Sequence, residues 1–296
     1  MRVVPFPQLL LVAAVLGTAA LGRSLQGNTA PATEAVPIGE VAVTAATPHA
    51  GSAGMSAVAG PDVADAVAST PAAHREVAVD AAVDAALEAL SPVVRRSSHR
   101  EALRTAFQAY FGYRSARPDL VRKPYLYFVD LGLGNRAARG YVFDMQALTL
   151  VDGPFTVAHG RGSSRTRDGV PTTFSNRPGS NASSLGLYLA QETYTFRGKS
   201  GGRAYQSVGL RMRGESGAFN DAARRRGIVA HGAPYVSASS AGRSEGCPAM
   251  EPARARKLLP MLANGGVTFL YSPNDERWLR EDPWITTGSL AGEGRG

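Results

Sequence analysis

Cys247 is the only cysteine in the chain, and His231 lies upstream of it at the far end of one segment. Gly246 and Pro248 flank the sulfur, a backbone setting for a tight turn rather than for the middle of a helix or strand. A free thiol with a pKa of about 8.5 is mostly protonated at neutral pH, and an imidazole beside it can take the proton and leave a nucleophilic thiolate. The residue types therefore point to covalent catalysis by sulfur with His231 as base. The alternatives are a small buried cysteine and a strand-end histidine satisfied by a backbone carbonyl.

These groups need a scaffold. Ile228, Val229 and Ala230 form a short apolar, β-branched run that predicts a strand ending at His231. The following loop contains Gly242 and Gly246 and can fold back to bring Cys247 under that strand end. Glu251 to Ala263 reads as a helix with Pro252 in its first turn and Asn264-Gly265-Gly266 closing it. Its N-terminal dipole could favour a thiolate if it faces the sulfur. Other predicted strands are Tyr125 to Leu131, Gly140 to Asp144, Phe155 to Ala158, Gly186 to Leu189, Thr193 to Phe196, Gly209 to Met212 and Val267 to Tyr271. Val79, Val83, Ala86, Leu87 and Leu90 recur at helical spacing. A second helix is predicted over Glu101 to Tyr113, with Ser97 or Ser98 as its N-cap.

The sequence His231-Gly232, a loop, then Ser244-Glu245-Gly246-Cys247 resembles the active-site motif of the YkuD-like murein L,D-transpeptidases. Lys123 to Pro273 carries the likeness, including Tyr125 to Asp130, Val157 to Gly162 and Gly169 to Ser175. Glu245 stands where the common pattern has a histidine, and Ala249 where it has Arg or Asn. The resemblance implies a fold that is mostly β with a few helices (α+β), a β-sandwich or meander. It also implies a peptidoglycan L,D-transpeptidase that forms a thioester with a tetrapeptide stem and passes it to an amine, with sensitivity to carbapenems. With water as acceptor the same site is an L,D-carboxypeptidase, and a wall-binding module without turnover is the reading outside enzymes. Cys247, His231 and Ser244 are the catalytic candidates. The backbone N–H groups of Gly246 and Cys247 are the oxyanion donors, and Arg243, His159 and Gly232 are the substrate-binding candidates. No cofactor is called for. His159, His231 and one cysteine do not give the paired spacing of a metal site.

The formal charge is +8 and the hydrophobic fraction 44%. Such a charge suits an anionic polymer such as the bacterial wall, or simply a solvated surface. No nucleic-acid-reading motif accompanies it. Met1-Arg2, the apolar run Leu9 to Leu16 and the small residues Thr18 to Ala20 have the three parts of a secretory signal, so residues 1–22 are assigned to export toward the periplasm or cell envelope. The Ala/Pro/Gly-rich residues 23–75 form a disordered tether. Residues 76–118 form a helical segment packing on a catalytic domain at 119–287, and 288–296 a frayed tail. No later stretch suits an integral membrane segment.

Overall fold

The computed structural model describes residues 71–166 and 169–286. The signal-like start, most of the tether and the final tail lie outside the described residues.

The centre of the fold is a pair of parallel strands, β1 (Tyr125–Asp130) and β10 (Val267–Tyr271), with Leu126 opposite Val267 and Asp130 opposite Tyr271. Both are almost wholly buried, which is why they read as continuous apolar runs rather than alternating ones. Around them runs an eight-stranded sheet in the order β3-β2-β1-β10-β5-β6-β7-β9. Its other members are β2 (Ala138–Asp144), β3 (Thr149–Thr156), β5 (Gly186–Ser200), β6 (Arg203–Gly214), β7 (Val229–Gly232) and β9 (Ala249–Met250). A separate parallel pair joins β4 (His159–Gly160) to β8 (Arg243–Ser244). The architecture is mostly β with a few helices, as the sequence predicts.

Helix α1 (Pro71–Leu90) starts earlier than predicted, and Val83, Ala86 and Leu90 of its stripe are buried. Helix α2 (Ala102–Ala116) packs Phe107 edge-to-face on Phe143 of β2, ring centroids 5.8 Å apart. Neither serine caps it: Glu101 occupies the N-cap position and makes no side-chain cap. Ser98 serves Asp130 instead, donating its N–H at 2.7 Å and its hydroxyl at 2.6 Å to that buried carboxylate. Leaving a buried carboxylate without donors costs several kcal/mol, far more than a missing cap at about 1 kcal/mol. Asp130 therefore claims the serine.

The two strands predicted over Gly186 to Phe196 are one, β5, with a register shift between Ala190 and Thr193 where polar Gln191 and Glu192 intervene. β10 pairs only with Gly186 to Leu189, and β7 pairs only with Gly209 to Arg211 of β6. The outer half of the β5–β6 hairpin therefore pairs with itself alone and overhangs the sheet beside β7. Short helix α3 (Ala223–Arg226) leads into β7, and α4 (Pro252–Leu262) follows β9, burying Ala255, Leu258, Leu259 and Leu262.

Candidate active site

β7 and β9 run parallel, with His231 opposite Ala249. His231 N–H donates to the Pro248 carbonyl at 3.3 Å, so Cys247 is held two residues before Ala249, the first residue of the strand that pairs with the histidine. Both residues line one cleft of about 770 Å³ beneath the hairpin overhang. The intervening loop is fastened at its base by Ala233 N–H to Met250 O at 2.9 Å and Gly242 N–H to Tyr235 O at 2.7 Å.

The imidazole is 2% exposed. Its Nδ1 lies 3.0 Å from the Gly232 carbonyl. A carbonyl only accepts, so the proton is assigned to Nδ1 and the lone pair to Nε2, the tautomer a base requires. Phe196 lies over the ring with centroids 4.1 Å and planes 20° apart, and Tyr235 meets it edge-on at 6.5 Å. Burial lowers the pKa to about 4, partly opposed by the Gly232 carbonyl. The imidazole is neutral at pH 7.

The Cys247 thiol is half-buried and donates to the Gly227 carbonyl at 3.9 Å. Its enclosure by protein pushes its pKa up to about 11. A hydrogen bond from the Val229 N–H and the Arg226 charge pull the other way, and Glu245 raises it further. The resting pair is therefore a neutral thiol and a neutral imidazole. Among the described residues no hydrogen bond joins them.

Ser244 donates its hydroxyl to the Cys247 carbonyl at 2.6 Å and accepts from the Gly246 N–H at 3.2 Å. Both bonds lie within the turn, and among the described residues none joins Ser244 to the imidazole. The Gly246 N–H is thereby engaged by Ser244 in the resting turn. The Cys247 N–H has no protein partner among the described residues and remains available. Gly246 has φ +123°, and a Cβ there would stand 2.9 Å from the Ala182 carbonyl, so the turn requires glycine.

The other candidates divide. Arg243 lines the cleft, with Nη1 donating to the Ser164 carbonyl at 3.3 Å. His159 does not line it: it is 0% exposed, with Nδ1 2.8 Å from Arg139 Nη2. Burial, then the charges of Arg139 and Arg243, lower its pKa to about 3. It belongs to β4, paired with Arg243 of β8, and its ring is enclosed rather than set in the cleft wall. Gly232 is also buried, and an added Cβ would meet Ser207 Oγ at 2.3 Å and Ala255 Cβ at 2.9 Å. Its contribution is the carbonyl that fixes the imidazole tautomer. Glu245, which replaces the second histidine of the motif, points outward to Arg161 at 3.5 Å. β9 separates the sulfur from α4, and the groups that touch the thiol come from residues 227–229, just past the C-terminal end of α3.

A sequence model of the L,D-transpeptidase catalytic domain (YkuD_2) matches residues 95–271, which contain the whole site. The chain belongs to this family. The match starts upstream of β1, so the family span takes in α2 as well as the strands. Among solved structures, an L,D-transpeptidase from Mycobacterium smegmatis is 13% identical, with 50% of this chain and 59% of that chain covered at a TM-score of 0.31. An L,D-transpeptidase (Yku) from Stackebrandtia nassauensis is 15% identical, with coverages of 59% and 69% and a TM-score of 0.33. One from Xylanimonas cellulosilytica DSM 15894 is 14% identical, with coverages of 50% and 61% and a TM-score of 0.30. The chain thus spans 59% of the first of these, and the family assignment rests on the sequence match alone. No curated protein matches the chain.

Three contributors to this transpeptidase-family site escape a motif reading. Phe196 comes from the hairpin overhang. Arg226 donates to Ser175 O at 2.7 Å and Ala182 O at 2.7 Å, tying the 175–184 segment to the sulfur's surroundings. Tyr235 closes the imidazole's edge. Of these only Arg226 had a sequence signal, the basic turn ending α3.

Proposed function

We propose that this chain is an exported peptidoglycan L,D-transpeptidase with Cys247 as nucleophile and His231 as base. Cys247 Sγ attacks a carbonyl of the tetrapeptide stem as its proton passes to His231 Nε2, and the Cys247 N–H takes the oxyanion. Collapse of the tetrahedral intermediate breaks the C–N bond, and the departing amine of the D-amino acid takes the proton from the imidazolium. An amine of a neighbouring stem then attacks the thioester and gives its proton to His231, and the proton returns to sulfur as the thiolate leaves. The low basicity of the imidazole makes its protonated form a strong acid toward the leaving amine, which suits that half of the cycle.

The observation that carries this reading is the sharing of one cleft by His231 of β7 and Cys247, which lies in the turn just ahead of the parallel-paired β9, inside the family's span. The family's substrate and the signal-like residues 1–22 support action outside the cytoplasm, with 23–75 as a spacer. Among the described residues no helix is long and apolar enough to cross a membrane.

Incubation with disaccharide-tetrapeptide should yield released D-alanine and cross-linked dimer, and a carbapenem should leave a mass adduct on Cys247. D-alanine release without dimer would make the enzyme an L,D-carboxypeptidase. A Cys247→Ala protein as active as wild type would exclude the mechanism, and binding without turnover would leave the wall-binding module.

A further inference from the structure

Arg226 ends α3 and is half-buried against the turn that carries the sulfur. A Cβ added at Gly246 would stand 3.5 Å from its Nη2. Both terminal nitrogens are in use: Nη1 donates to Ser175 O at 2.7 Å and Ser184 Oγ at 3.2 Å, and Nη2 to Ala182 O at 2.7 Å and Ser180 Oγ at 3.2 Å. These bonds take four of the five guanidinium donors, so the side chain has no fork left to grip a substrate carboxylate.

All four acceptors are neutral. Among the described residues no carboxylate pairs with Arg226, and the ionisable groups acting on it are Tyr188 and Cys247. An exposed arginine without a partner is screened by water and salt, whereas a partly enclosed one held by neutral oxygens keeps its field. The segment it fastens also grips the sulfur's turn: Ser183 Oγ donates to Gly246 O at 3.0 Å, and Ala182 O is the atom 2.9 Å from a Cβ at Gly246. One clamp thus sets the shape of the turn and the place of a positive charge beside it.

Resting on the reading of Cys247 as nucleophile, we infer that Arg226 is a positioning residue for both halves of the acyl transfer, fixing the 246–247 turn and placing an unneutralised cation that favours the sulfur as an anion. In the first half the S–H proton leaves for His231 Nε2 as the S–C bond forms. In the second the C–S bond breaks as the amine's C–N bond forms, and the electron pair stays on sulfur until the proton returns from His231.

Alkylation of Cys247, the only cysteine, by uncharged iodoacetamide reads the sulfur without any substrate. Arg226→Gln should move the alkylation midpoint up by about one pH unit and slow the reaction at pH 9 about threefold, because the loss of thiolate is partly offset by the greater nucleophilicity of a more basic one. Arg226→Lys keeps the charge but not the four bonds. It should lose as much urea stability as the glutamine protein yet alkylate within about 1.5-fold of wild type, a split that a merely structural clamp does not produce.

Equal slowing of both variants, or a wild-type rate in Arg226→Gln, would overturn the inference. If the glutamine protein does not fold, the lysine protein decides alone: a wild-type rate supports the charge role and threefold slowing overturns it. Transfer from a tetrapeptide stem is scored apart. A wild type that transfers nothing removes the transpeptidase reading and leaves the alkylation contrast standing, while transfer with no contrast removes only the role of Arg226.

Discussion

Phe196 lies nearly flat on His231, ring centroids 4.1 Å apart, although the two belong to different strands and Phe196 sits on the overhanging part of its hairpin. The stack does two things: it fixes the ring plane and it excludes water, and exclusion of water is the main reason the imidazole pKa is low.

Phe196→Ala should therefore raise the His231 pKa from about 4 toward 6.5, read from the ring proton shifts in an NMR titration. Acyl transfer should fall by about tenfold, from loss of an aromatic contact of about 1 kcal/mol and of ring order. Phe196→Tyr should restore both. An unmoved titration would mean that the hairpin does not shield the base.

The sulfur should behave as a poor thiolate in the free protein. Alkylation of Cys247 by iodoacetamide should be slow at pH 7 and rise toward a midpoint near 11, above the ordinary value of about 8.5. Glu245→Gln removes a charge that raises this pKa, so the midpoint should drop by a few tenths, the small size reflecting the exposure of Glu245. A midpoint below 8 would show a preformed ion pair instead.

Ser244→Ala strips the Gly246 N–H and the Cys247 carbonyl of their shared partner. A loss of about 1–2 kcal/mol in stability is expected, together with reduced turnover, while Ser244→Thr should keep most of both. Urea unfolding and carbapenem acylation rates check this. A fully active, fully stable alanine variant would refute the turn-shaping role.

Acid should unfold this protein through its histidines. His231 and His159 bind protons only below about 4 and about 3 when folded, but near 6.5 when unfolded. Between those limits the unfolded chain holds more protons, so stability is complete above pH 6.5 and falls as the pH drops. At about 1.4 kcal/mol per unit, His231 alone accounts for about 3 kcal/mol. His159→Gln, whose amide oxygen can still accept from Arg139, should flatten the slope of the urea midpoint against pH. An unchanged slope would show that this buried ring does not govern acid stability.

Strands with one dominant environment were readable. β10 matches its predicted bounds because a β-branched apolar run between Gly266 and Ser272 has no other use. A lone thiol and a strand-end imidazole stood out by residue type, and both line one cleft. What could not be read depends on partners distant in sequence. Ser98 looks like a helix cap until Asp130 takes it. His159 looks like a cleft residue until the strand pair β4–β8 and Arg139 enclose it. A backbone N–H such as that of Gly246 has no sequence signature of being occupied. The continuity of β5 across Gln191 and Glu192 was masked by two polar residues that a bulge accommodates.

The parallel pairing of β7 with β9 has a practical corollary. The base and the sulfur are indexed to each other by a sheet ladder, while the chain between them makes an excursion whose tip, Ser237 to Ser239, is exposed. The tip's continuity is not what holds the two groups in place. Its covalent bond could be cut, or a reporter spliced in, and two separately made fragments should still reassemble a working centre through that ladder.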